Sequence, residues 1–158
     1  MTAAPVPAPV PVPACAPAPE LPRLARRLGY AGLIPFVAGA LLVWLVHPDA
    51  HPYVTLALSS YAAVTVAFIG AIHWGLALRQ PDPPAVGLGW GVVPALVAWL
   101  AVMMPPGAGL VILGAMLLAC YAVDRQLYPA QGVAHWLTLR FRFSAVAALS
   151  CFLGAAGT

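Results

Sequence analysis

From Leu28 to its C-terminus the chain is a succession of long apolar runs, broken only by short turns rich in proline. Charged residues make up 7% of the sequence, against roughly 25% in an ordinary soluble domain. That leaves too little polar surface to coat a globule in water, so the solvent that suits the chain is lipid. In hydrocarbon every backbone N–H and C=O must find a partner within the protein, and runs of this length solve the problem as helices. The pattern predicts an all-α fold, a polytopic membrane bundle of five transmembrane helices over residues 28–46, 53–78, 86–104, 108–123 and 136–156. The first run, about 19 residues, rises roughly 28 Å and matches a hydrocarbon core. The second is longer than a bilayer requires and is expected to tilt or protrude. In the fifth, only about 15 residues remain after Arg142. It spans only if it begins near His135 or Trp136 with Arg140 and Arg142 snorkelling; otherwise it is a half-span or lies on the surface.

Residues 1–22 alternate proline with alanine or valine. Proline fixes φ and removes a donor, so this stretch is expected to be extended and without a core. The domain reading is a disordered Pro/Ala-rich cytoplasmic tail over 1–27, ending in a basic flank, and one five-helix membrane domain over 28–156. All seven basic residues are arginine, which reads as the coding bias of a GC-rich, bacterial genome. With five alternating spans, every arginine falls on the side of the tail, the 79–85 turn and the 124–142 connector. The positive-inside rule then puts the N-terminus in the cytoplasm and the C-terminus in the periplasm of a multi-pass inner-membrane protein. No basic run interleaves with aromatics, which speaks against nucleic acid as a partner. Cys15, Cys120 and Cys151 show no metal or disulfide spacing and read as tail residue and apolar filler.

Polar side chains inside a span are costly and mark candidate sites. His73 sits six residues before Arg79, on the face expected to carry Tyr61, Thr65 and Ile69. Asp124 and Arg125 close the fourth span at the same membrane level. The sharp reading gathers His73, Trp74, Asp124, Arg125, Arg140 and Arg142 into an inner-leaflet site, closed by Tyr128 and Trp136, that suits a lipid headgroup, a quinone or a haem. The plain reading is an interfacial ion pair and a histidine that bonds a neighbouring helix. His135 offers a second imidazole but lies in a connector. His47, Asp49 and His51 resemble a minimal metal patch, yet Pro48 and Pro52 break the helix that their spacing would need. No metal and no cofactor is expected. Gly70, Gly75, Gly87 and Gly91 are the expected helix-packing positions, while Gly29, Gly32 and Pro35 are expected to bend the first span.

The segments 28–36 (LGYAGLIPF), Tyr61-Ala62, 68–76 (FIGAIHWGL), Asp124-Arg125, Tyr128-Pro129 and 136–142 (WLTLRFR) resemble a family of small multi-span proteins of proteobacterial inner membranes. It is a domain of unknown function related to mitochondrial transmembrane protein sixty-nine. The resemblance covers about residues 28–156 and implies the same helical bundle and an inner-membrane location. It brings no activity, substrate or cofactor to any residue.

The function expected is non-enzymatic: an accessory or assembly factor, or a small subunit, of a larger inner-membrane complex of respiratory type. The alternatives are a quinone-, haem- or lipid-binding protein using the His/Asp/Arg site, and a small-solute transporter. No nucleophile–base pair appears, since Ser59, Ser60 and Ser150 lie in apolar runs without a histidine at a recognisable spacing.

Overall fold

The structure is a computed structural model that describes residues 21–82 and 85–158. Its elements are α1 (Arg23–Ala31), α2 (Ile34–Leu45), α3 (His51–Ala77), α4 (Ala85–Val102), α5 (Pro106–Ala130), a 3-10 turn at Ala134–Trp136, and α6 (Leu137–Ala156). They make five segments long and apolar enough to cross a membrane, with α1 and α2 joined into one and the 3-10 turn leading into α6 in the last. The protein is a multi-pass helical membrane protein.

Two boundaries differ markedly from the sequence expectation. The first segment begins at Arg23 rather than Leu28, so residues 23–27 belong to a helix and not to the tail; residues 1–20 of that tail, with Cys15, lie outside the described residues. The helix then breaks at Gly32 and resumes at Ile34, because Pro35 has no N–H to return to Ala31. At the break the Tyr61 hydroxyl donates to the Gly32 carbonyl at 2.9 Å. The fourth segment runs on to Ala130 instead of ending at Val123. The added turns carry Asp124 and Tyr128, four residues apart and both facing inward. They end where Gly132 takes a left-handed φ of 72° and the Val133 N–H returns to the Tyr128 carbonyl at 3.0 Å. The fifth segment is a full one: Ala134–Ala156 has 23 residues.

α3 is the hub and packs against α2, α4, α5 and α6; α1 rests chiefly on α6. The core runs through Phe36, Ala62, Val66, Leu113 and Leu117, all fully buried. Phe36 sets its ring edgewise on Tyr61 (centroids 5.1 Å apart) and on Phe143 (6.1 Å). Large apolar side chains such as Leu45, Tyr53 and Leu78 point outward, an arrangement that would aggregate in water and is ordinary in lipid. Every described arginine stands at or within about one turn of one end of the bundle. The other end holds the 46–50 and 103–105 turns and the C-terminus. That end is stitched by Trp44 Nε1 donating to the Leu153 carbonyl at 3.1 Å, and by His51 Nε2 at 2.9 Å from the Gly157 carbonyl.

Without a hydrophobic force between helices in lipid, close backbone approach supplies the packing energy. Gly70 of α3 and Gly91 of α4 do this as expected. A Cβ on Gly70 would lie 2.9 Å from the Gly91 carbonyl oxygen and 3.0 Å from Pro94, and one on Gly91 would run into the Trp74 indole. Gly75 and Gly87 do not. A Cβ on either meets nothing within 4 Å. Gly75 is five residues past Gly70, which turns it roughly 140° around α3 toward the outer surface; Gly87 keeps the face of Gly91 but sits where the interhelical space is open. Gly91→Val is expected to destabilise the purified protein by about 1–3 kcal/mol through overpacking against Trp74, while Gly75→Val leaves thermal unfolding in detergent unchanged.

Candidate functional site

Three helices each send one polar side chain to the same buried point. His73 comes from α3, Asp124 from α5 and Arg140 from α6, and their exposures are 1%, 0% and 7%. Helical phase puts them there. His73 continues the inward row of Val66, Ile69 and Ala77, Asp124 follows Leu117 and Cys120, and Arg140 leads to Ser144 and Ala147. Asp124 is the single acidic residue of the five segments.

Asp124 Oδ2 accepts from Arg140 Nε at 2.7 Å and also from Nη2 of the same guanidinium. Asp124 Oδ1 lies 3.1 Å from His73 Nε2, but out of line, so neither atom is in a hydrogen bond. His73 Nδ1 and Ser144 Oγ are likewise buried without a hydrogen-bond partner. The Tyr128 ring stands edgewise to the His73 imidazole, 5.9 Å between centroids. The result is one firm charge-assisted pair flanked by an imidazole and a hydroxyl with hydrogen-bonding capacity still unused. Buried polar atoms are rarely left so in native structures, and those that are call for an explanation.

Of the six residues expected at this site, the structure brings together three. Trp74 is one residue past His73 and therefore about 100° around α3; its Nε1 donates to the Leu88 carbonyl of α4 at 2.9 Å. Arg125 is turned to the exterior for the same reason relative to Asp124. Arg142, two residues past Arg140, points outward, and its Nη1 donates to the Tyr30 hydroxyl at 3.1 Å. Tyr128 and Trp136 do stand beside the cluster, as expected. His135 lies against Trp136, with 6.0 Å between ring centroids. The outer patch is divided: His47 Nδ1 is 3.1 Å from Asp49 Oδ2 in an exposed pair, whereas His51 is engaged with Gly157.

Sequence reasoning missed the cleft next to the cluster. It encloses about 800 Å³ between α1, α3, α6 and the end of α5. Its walls are almost wholly apolar, and Leu28, Val64 and Phe68, all well exposed, stand at its lateral edge. Tyr61 and Thr65 line it with hydroxyls already engaged, by the Gly32 and Tyr61 carbonyls. The other polar lining residues, Arg79, Tyr128, Trp136 and Arg140, gather at the arginine-bearing end. The one signal available was the shared face of Tyr61, Thr65 and Ile69; what faces it depends on helix order. Ser144, a turn beyond Arg140, was missed because serine in an apolar run reads as filler.

Removing one member of a buried ion pair leaves the other unpaired in low dielectric, at a cost of roughly 3–5 kcal/mol. Arg140→Leu is expected to destabilise the protein by about that amount in detergent unfolding. The double variant Asp124→Leu with Arg140→Leu is expected to recover most of it, since an apolar replacement of the whole pair is often neutral.

The sequence profile of the family described as "Protein of unknown function (DUF3429)" matches residues 21–156. Transmembrane protein 69 of Xenopus tropicalis is 38% identical over 102 residues, covering 60% of this chain and 40% of that protein. Transmembrane protein 69 of Mus musculus is 31% identical over 87 residues, covering 53% of this chain and 35% of that protein. The aligned part is thus well under half the length of these curated relatives. No solved structure matches. With a match that takes in all five apolar segments and the His73–Asp124–Arg140 cluster, the chain belongs to the DUF3429 family of membrane proteins.

Proposed function

We propose that this protein is a non-enzymatic accessory protein of a bacterial inner membrane that binds an amphipathic membrane molecule, a lipid or a quinone, in the cleft beside His73, Asp124 and Arg140. The observation that carries this reading is the cleft itself. It is an apolar slot of about 800 Å³, edged by lipid-facing side chains, with its charged groups at one end. Binding sites are typically concave and apolar with a few polar groups that orient the ligand. Arg140 belongs both to the cleft and to the buried pair, so occupancy is linked to how α3, α5 and α6 are held. The cluster's charged groups face one another rather than a reacting position, which favours binding over catalysis.

A second reading, a subunit or assembly factor of a larger membrane complex, is favoured by the outer face of α3. There Ala71 and Gly75 are exposed four residues apart, a spacing that admits another helix at close range. One experiment separates the two. Wild type, Thr65→Phe, which fills the cleft, and Gly75→Leu, which blocks the small-residue face, are purified gently from native membranes, and the bound small molecules and proteins are identified. A near-stoichiometric amphiphile lost with Thr65→Phe supports the first reading. A protein partner lost with Gly75→Leu alone, with no amphiphile in any sample, overturns the first and supports the second.

The same proposal sets the orientation, with the arginine-bearing end in the cytoplasm. Full-length protein with single cysteines at Arg79 and at Thr158 is expected to react with a membrane-impermeant thiol reagent in intact cells only at the second. The reverse pattern would invert the topology.

A further inference from the structure

The polar groups at the arginine-bearing end of the cleft have a common character. Arg79 and Arg140 carry fixed positive charge, and Trp136 and Tyr128 bring an indole N–H and a phenol O–H. Among the described residues no acidic side chain lines the cleft, and Asp124 is covered behind Arg140 and fully buried. Asp124 engages only the Nε and Nη2 atoms of Arg140, which leaves Nη1, as well as the second hydrogen on Nη2, unassigned to the pair. Arg79 is exposed at the rim, just past the end of α3. From Arg79 the α3 wall runs eighteen residues to Tyr61, roughly 27 Å, longer than the roughly 15 Å of one leaflet's hydrocarbon. Below the rim the exposed polar character ends, because the Thr65 and Tyr61 hydroxyls are engaged by backbone carbonyls.

Resting on the reading that the cleft binds an amphiphile, we propose that its occupant is an anionic membrane lipid, with the headgroup phosphate held between Arg79 and Arg140 and one acyl chain laid along α3 toward Tyr61. Charge complementarity selects this occupant. The exposed Arg79 guanidinium at the mouth, with the N–H groups of Arg140 that Asp124 leaves unused deeper in the slot, binds a phosphate through charge-assisted hydrogen bonds, whereas a quinone offers only neutral carbonyls and a zwitterionic lipid adds a cation that no described lining residue balances. The basic helix α1 beside the cleft, with Arg23, Arg26 and Arg27 exposed, strengthens the positive field at the same end.

The test uses full-length protein in nanodiscs of phosphatidylcholine doped with spin-labelled phosphatidylglycerol or spin-labelled phosphatidylcholine, read as the motionally restricted fraction. Wild type is compared with Arg79→Gln, an exposed position whose loss leaves the buried pair intact, and with Thr65→Phe. Phosphatidylglycerol is expected to be held about tenfold more strongly than phosphatidylcholine, as one charge-assisted contact warrants. Arg79→Gln should remove most of that preference, bringing phosphatidylglycerol down toward phosphatidylcholine, and Thr65→Phe should abolish the restricted fraction. Equal retention of both lipids, lost with Thr65→Phe, would overturn the anionic assignment and leave the cleft-binding reading standing. A restricted fraction that Thr65→Phe does not alter would overturn both. Displacement of the labelled lipid by millimolar inorganic phosphate would also overturn the proposal, since the site would then recognise the anion without the chain.

Discussion

Asp124 holds together the arginine-bearing half of the bundle. One of its carboxylate oxygens takes two N–H groups of Arg140, and the other faces the His73 imidazole 3.1 Å away. A carboxylate at this depth is tolerated only with a cation locked beside it, and that requirement ties α5 to α6 and aligns both on α3. Other features of this half follow from the same tie. The continuation of α5 past Asp124 to Tyr128, the full length of α6, and the placement of Trp136 a turn before Arg140 all keep the pair enclosed.

The opposite half relies on other means. Among the described residues its interior holds no ion pair, and close backbone approaches and a few side-chain-to-carbonyl bonds hold it. A Cβ on Gly154 would lie 2.6 Å from Leu58, and one on Gly114 would lie 2.8 Å from Phe152. Such contacts set distance but tolerate little change, whereas the cleft on the other side leaves α1 resting chiefly on α6. The molecule thus pairs a tightly packed half with a half that has a polar knot and an open side. Function is more economically assigned to the second, because binding needs space and unused polar capacity in one place.

The family match and the apolar segments place the protein in a membrane, and the sequence already required this. Runs of apolar residues with charges only at their ends, and prolines in the breaks, leave helices in lipid as the one way to satisfy the backbone. His73, Asp124 and Arg140 were also legible one by one, as polar groups where polar groups are costly. Their neighbours in sequence misled. Trp74, Arg125 and Arg142 share the local motifs and are turned away by 100–200° of helical phase. Gly75 and Gly87 carry the right residue type at positions where an added Cβ would meet nothing within 4 Å.

The sequence by itself therefore determined the solvent, the helical class, the number of crossings and the end at which charge collects, because each depends on composition and on order along the chain. Tertiary structure alone decided that His73, Asp124 and Arg140 meet, that Asp124 is inside a helix rather than at its end, and that a cleft opens between α1, α3 and α6. These depend on which helices are neighbours and on their rotation about their own axes. A span that is apolar all round shows no preferred inward side, so a one-dimensional pattern carries little of that information.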